Sequence, residues 1–137
     1  MIRPGRELRV SWVCRAAILV ALVGVFGTWR RGGGVSLNGV EGPHNGWLVV
    51  IFGLVALAAI GPLARESRLG AVAVIGCSAV MLSTALQALV DDRDVLGGRS
   101  GWGLWLTIGG SLLLGAAAVV AVARPRLWPG SAETQRK

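Results

Sequence analysis

The sequence predicts an all-α membrane protein, an antiparallel bundle of four transmembrane helices with short, glycine-rich outer loops. Of the 137 residues, 53% are apolar and 15% are charged, and mean hydropathy is +0.63, so too few polar residues exist to cover a soluble domain. The charges separate four apolar runs, each long enough to cross a hydrocarbon core of about 30 Å. All six tryptophans flank those runs, where membrane–water interfaces are expected.

The first predicted span, residues 12–29, follows a basic N-terminal segment, residues 1–11. Arg15 interrupts the apolar run one turn from its start, at a depth from which an arginine side chain reaches the headgroups. A basic segment before an apolar run is also typical of a secretory signal. Because no small-residue cleavage site follows in residues 25–31, we predict a retained helix.

The second span, residues 47–64, lies between an outer loop and a tight turn. The loop, residues 30–46, is rich in glycine and in turn signals. Pro62 is tolerated because the helix is about to end. The turn, residues 65–68, is so short that the helices on either side of it must be antiparallel neighbours.

The third and fourth spans are residues 69–90 and 102–123. A second outer loop, residues 91–101, separates them, and residues 124–137 form a basic cytoplasmic tail. The third span is the most polar of the four.

Small and polar residues recur at three- and four-residue spacing along one side of each span. In lipid, helices associate through close backbone approach, so these sides are predicted contact faces. The predicted helix-packing positions are Cys14, Ala17, Ala21, Gly24, Gly53, Gly76, Ser83, Gln87, Gly103, Thr107, Ser111 and Gly115. Two uses are open for them: packing within the bundle, and contact with a second copy or another membrane protein.

The basic residues are distributed unequally between the two sides of the predicted bundle. With the N-terminus inside, the cytoplasmic side carries the whole net charge of +7 and the outer loops are neutral, which places both termini in the cytoplasm. The inner-face basic residues, which can bind anionic lipid headgroups, are Arg3, Arg6, Arg9, Arg15, Arg65, Arg68, Arg124 and Arg126. The predicted interface anchors are Trp12 and Trp128 at the inner boundary and Trp29, Trp47, Trp102 and Trp105 at the outer one.

No motif for catalysis, metal binding or a cofactor is found. Gln87 is the deepest strongly polar side chain, and it is neutral. His44 is the single histidine, and the cluster of Asp91, Asp92 and Asp94 lacks the remaining ligands of a calcium loop. A nucleic-acid partner is not expected, because the basic residues lie between apolar runs. We predict no catalytic residue, no metal ligand and no cofactor.

The overall layout is similar to that of small four-span proteins rich in Arg, Gly and Ala. The features that carry the resemblance are a glycine-rich first outer loop, Trp102 and Gly103 at the start of the last span, and the segment Arg126-Leu127-Trp128-Pro129 after it. Such proteins occur in actinobacteria, where they include the tryptophan-operon-associated membrane family, and in their phages. The resemblance implies a bacterial envelope and no particular reaction.

We therefore expect a non-catalytic protein of a bacterial plasma membrane, an interaction or accessory subunit that uses the small-residue faces of the first and fourth helices. One alternative is a self-assembling pore or a holin-like, phage-encoded membrane protein. The polar residues of the third span are confined to its predicted outer half, which argues against a continuous water-filled channel. The other is a small-solute transporter. No charged residue lies in the middle of a span, where proton-coupled transport requires one.

Overall fold

The computed structural model describes residues 5–32, 34–41, 45–64, 68–94 and 99–123. These residues form four helices and three short strands: α1 Gly5–Phe26, β1 Thr28–Gly32, β2 Val35–Asn38, α2 Gly46–Ala64, α3 Arg68–Asp94, β3 Arg99–Ser100 and α4 Trp102–Ala123.

Three of the helices are long and apolar enough to cross a membrane. These spans are Gly46–Leu63 in α2, Arg68–Asp91 in α3 and Trp102–Ala123 in α4. The apolar part of α1, Val10–Phe26, is shorter. The helical fold class is thus confirmed, with three helices of spanning length where the sequence predicts four.

The helices form a ring in which each packs against two others. α1 lies between α2 and α4, α3 also lies between α2 and α4, and the most extensive contact joins α1 to α4. Gly24 of α1 meets Thr107 of α4, whereas Ala21 meets Gly110, so the two helices run antiparallel. The largest fully buried side chains of the four helices are Ile18, Ile60, Met81, Leu104 and Leu114.

A small antiparallel sheet occupies the predicted outer loops, where the sequence predicts only turns. The strand order is β2-β1-β3. β1 and β2 form a hairpin, with an irregularity between Thr28 and Arg30 and a turn in which Gly34 has φ +81°, a conformation that favours glycine. β3, more than sixty residues later in the chain, pairs with β1 because α1 and α4 pack antiparallel along each other, which brings the residue after the end of α1 close to the residue before the start of α4.

The first helix ends earlier than predicted. The amide of Gly27 donates hydrogen bonds of 3.1 Å to the carbonyl oxygens of Val23 and Gly24, closing the last turn, and the chain then becomes extended at Thr28. The predicted span of residues 12–29 therefore includes two residues of a strand. The sequence does not reveal this end, because Thr28 and Trp29 continue the apolar run.

Candidate membrane interaction faces

α1 and α4 pack closely along the α1–α4 seam, where Ala21 and Gly24 of α1 meet Thr107 and Gly110 of α4. A Cβ atom added to Gly24 would lie 2.6 Å from the backbone nitrogen of Thr107, and one added to Gly110 would lie 2.7 Å from that of Ala21. Neither separation is possible for a real side chain, so the backbones approach as closely as they do because both positions are glycine. The small-residue faces of the first and fourth helices therefore pack against each other within the chain.

The buried hydroxyl groups of the α1–α4 seam donate hydrogen bonds within their own helix. The hydroxyl of Thr107 donates a 3.0 Å hydrogen bond to the carbonyl oxygen of Gly103, and that of Ser111 donates a 2.8 Å bond to the carbonyl oxygen of Thr107. Across the seam, Thr107 Oγ1 also lies 3.4 Å from the carbonyl oxygen of Ala21. Both hydroxyls are buried, and bonds to the preceding turn of their own helix free them from needing an external partner.

Most of the predicted helix-packing positions lie inside the bundle. The buried ones are Cys14, Ala17, Ala21, Gly24, Gly53, Gly103, Thr107 and Ser111. Gly115 is half-buried, and a Cβ atom there would lie 2.9 Å from Oγ of Ser78 on α3. Gly110 belongs to the α1–α4 seam as well. It is not among the predicted packing positions of the fourth span, which recur every fourth residue from Gly103 to Gly115.

Gly76, Ser83 and Gln87 are exposed on the side of α3 that points away from the bundle. Packing within the bundle, the first of the two uses left open, is therefore excluded for them. The buried side of α3 is built instead around Val74 and Met81, and the helical period places the three predicted positions elsewhere. The sequence misses this because both sides of the helix are rich in small residues.

We call Gly76, Ala79, Ser83 and Gln87 the α3 outer face. A Cβ atom added to Gly76 would meet nothing within 4 Å. From Ala79 towards the C-terminal end of α3, the face borders an open concavity of about 480 Å³. Among the described residues, neither Ser83 nor Gln87 has a hydrogen-bond partner for its side chain. The α3 outer face therefore has small residues in the middle of the helix and polar residues nearer its C-terminal end.

The exposed sides of the other helices consist mainly of large apolar residues. They include Leu19, Val20, Val23 and Phe26 on α1, Ile51, Leu54, Val55 and Leu57 on α2, and Leu112, Leu113, Val119 and Val120 on α4. On α3 the large exposed apolar residues are confined to the two ends, at Leu69, Val72, Leu86 and Val90. An extended apolar surface of this kind is that of a membrane-embedded protein.

The tryptophans divide into two kinds. Trp12, Trp47, Trp102 and Trp105 are 51 to 64% exposed, as side chains at an interface are. Trp29 is 2% exposed, so its indole packs inside the protein and not at the surface, where the other described anchors lie. Trp128 lies outside the described residues.

The buried position of Trp29 follows from the early end of α1. Because the chain turns at Gly27, Trp29 lies over the end of the helix, and its Nε1 donates a 2.9 Å hydrogen bond to the carbonyl oxygen of Gly24. A Cβ atom added to Gly39 would lie 2.5 Å from the indole, so this glycine leaves the space that the ring occupies. The sequence signals of this arrangement are the glycines at 27 and 39.

Half of the predicted inner-face basic residues lie in described helices. Arg15 is exposed, and its guanidinium carbon is 5.9 Å from the centre of the Trp12 ring, within the range of a cation–π contact. Arg68 is also exposed, and Arg6 and Arg9 lie in the first turns of α1. Arg3, Arg65, Arg124 and Arg126 lie outside the described residues.

The described interior carries no charged side chain. Its buried polar residues are Ser78, Thr84, Thr107 and Ser111, and Cys14 and Cys77 are buried free thiols. No group of three or more His, Cys, Asp or Glu side chains that could hold a metal ion occurs in the described ranges.

No family model, curated protein or solved structure matches the chain. Its exposed faces are therefore the features from which a function can be inferred.

Proposed function

We propose that the chain is a non-catalytic, four-pass protein of a bacterial plasma membrane, with both termini in the cytoplasm, that acts as an interaction or accessory subunit. The α3 outer face is the proposed contact surface, and it is the observation that carries the proposal. The small-residue faces of α1 and α4, expected from the sequence to serve this purpose, are occupied by each other.

Two observations support α1 as a fourth span. It packs along α4, which is of spanning length, so a membrane around α4 would also surround α1. Its outward side chains include Leu19, Val23 and Phe26, which are stable in contact with hydrocarbon and not with water. The apolar part, Val10–Phe26, is about 25 Å long at 1.5 Å per residue, and Arg15 is close enough to its start to reach the headgroups.

The chemistry of the α3 outer face suits contact with another transmembrane helix. Burial of apolar surface does not drive association in lipid, because lipid tails are as apolar as side chains. Close approach at small residues and hydrogen bonds between helices do, each bond contributing about 0.6 to 2 kcal/mol. Gly76 and Ala79 permit close approach, while Ser83 and Gln87 supply unsatisfied hydrogen-bonding groups.

The test is co-purification of the full chain in mild detergent, followed by mass spectrometry, with Gly76→Ile as the disrupting variant. Gly109→Ile is the matched control, because Gly109 is an exposed helix glycine of α4 at which an added Cβ would also meet nothing. We expect one stoichiometric membrane-protein companion for the wild type and the control, and its loss from Gly76→Ile. Equal retention by both variants, or no companion for the wild type, would contradict the proposal. Dye leakage from cells that express the chain alone would favour a pore instead.

A further inference from the structure

One hydroxyl and two guanidinium groups are aligned in a row across the three strands of the sheet. Arg31 of β1 is paired with Ser36 of β2 on one side and with Arg99 of β3 on the other. Directly paired residues project from the same face of a sheet, with Cβ atoms about 4.5 to 5.5 Å apart. All three residues are exposed. We call them the arginine row.

The three strands contain Arg30, Arg31 and Arg99 and no acidic residue, whereas the acidic residues of the same predicted side, Glu41, Asp91, Asp92 and Asp94, lie outside the strands. Like charges directly opposite each other destabilise a strand pair. Among the described residues, neither Arg31 nor Arg99 has an ion-pair partner. Glu41 is the acidic residue of the hairpin segment, and it follows Asn38, at the opposite end of the hairpin from the row. Its amide is held there by a 2.8 Å hydrogen bond to Asn38 Oδ1.

With the bundle inserted as proposed, the arginine row would lie at the height of lipid headgroups. Gly27, at the end of α1, packs against the ring of Trp102, a half-exposed indole of the kind that marks the membrane boundary. Arg31 follows Thr28, the first residue of β1, by three residues, or about 10 Å at most along a strand. The headgroup region is roughly 5 to 8 Å thick on each side of a bilayer, and an arginine side chain extends over a comparable distance.

We propose that the arginine row binds the phosphate of an anionic phospholipid headgroup at the end of the bundle that carries the sheet. Two adjacent guanidinium groups present forked donors that match phosphate oxygens, and the hydroxyl of Ser36 adds a third donor. A headgroup with a net negative charge is preferred, because the ammonium group of a zwitterionic one opposes the two arginines. This inference rests on the proposed insertion in a membrane.

The test measures retention of phosphatidylglycerol and phosphatidylcholine by the full chain in detergent, with native mass spectrometry. Arg31→Gln and Arg99→Gln should each weaken phosphatidylglycerol binding about threefold to fivefold, and the double variant should weaken it by tenfold or more. Retention of phosphatidylcholine should not change. Arg30→Gln is the matched control, since Arg30 is the next residue of β1, is paired with Ser100 and carries the same charge. We expect it to change the binding less than twofold.

Two outcomes would overturn the lipid site: equal effects of Arg30→Gln and Arg31→Gln, and full displacement of phosphatidylglycerol by inorganic phosphate, which would make the ligand a soluble anion. Circular dichroism of each variant verifies that the helices are retained. Extraction of the wild-type chain from membranes by alkaline carbonate would contradict the proposed function itself. A chain that stays inserted, with a double variant that holds phosphatidylglycerol like the wild type, would contradict the lipid site alone.

Discussion

The indole of Trp29 and the carbonyl group of Gly24 are joined by a 2.9 Å hydrogen bond at the C-terminal end of α1. The last carbonyl groups of a helix lack the usual amide partner one turn further on. The carbonyl oxygen of Gly24 accepts one hydrogen bond from the amide of Gly27 and a second from the indole of Trp29. Gly24 also meets Thr107 in the α1–α4 seam, where it has no side chain to separate the helices. Gly24 thus connects the packing of the bundle to the sheet at the C-terminal end of α1.

Removing the indole nitrogen should destabilise the protein. Trp29→Phe loses the hydrogen bond to Gly24 and leaves part of the ring's volume empty, and we expect the free energy of unfolding to fall by about 2 kcal/mol. Unfolding in mixed micelles, followed by circular dichroism, measures the change. Trp105→Phe is the control, because this indole is 57% exposed, and its effect should stay within about 0.5 kcal/mol. Similar decreases in the free energy of unfolding for the two variants would show that the hydrogen bond and burial of Trp29 do not stabilise the protein.

Substitution by alanine should lower the stability of the protein at one of two adjacent glycines of α4 and not at the other. Gly110→Ala places a methyl group against the backbone of Ala21, where it must separate α1 from α4, at a cost of about 1 to 3 kcal/mol in stability. Gly109→Ala meets open space and gains the higher helix propensity of alanine, so its stability should stay equal or rise by up to about 1 kcal/mol. Thermal unfolding in one detergent compares the pair. A stable Gly110→Ala variant would contradict the close α1–α4 seam.

The orientation in the membrane can be tested with thiol labelling. Cys14 and Cys77 are buried, so a membrane-impermeant maleimide should not label the native chain. Ser36→Cys introduces an exposed thiol on β2, which intact spheroplasts should present to the reagent if the sheet lies on the outer side. Labelling of this variant only after the cells are lysed would reverse the predicted topology. Labelling of the native chain would contradict the buried positions of both cysteines.

The extent to which the bundle could be predicted differs from one face to another. The spacing of Gly103 and Thr107 predicts a contact face, and these residues meet α1. Gly110, which α1 approaches just as closely, falls outside that four-residue spacing, because a helix has about 3.6 residues per turn and positions three residues apart also share a face. Gly76 has the same local pattern of small residues and faces away from the bundle. A pattern of small residues therefore identifies a surface that can be approached closely, and not the helix that approaches it.

The sheet and the buried Trp29 depend on contacts that are distant in the sequence. β3 follows β1 by more than sixty residues, and the packing of α1 along α4 brings the two strands together. From the sequence, an apolar residue such as Trp29 at the end of an apolar run is compatible with two structures. It can extend the helix, or it can follow the helix and pack over its end. The arginine row has the same origin, since Arg31 and Arg99 become neighbours through this pairing alone.

The sequence by itself determined that most of this chain is helical, that it is embedded in a membrane, and where its long apolar segments lie, because composition and the length of each run are sufficient for these conclusions. Tertiary structure alone decided which side of each helix is buried against protein and which is exposed. In a soluble protein, water makes the two sides chemically different. In a bilayer, both the interior of the bundle and its surroundings are apolar, so the periodicity that marks a buried face in water is lost.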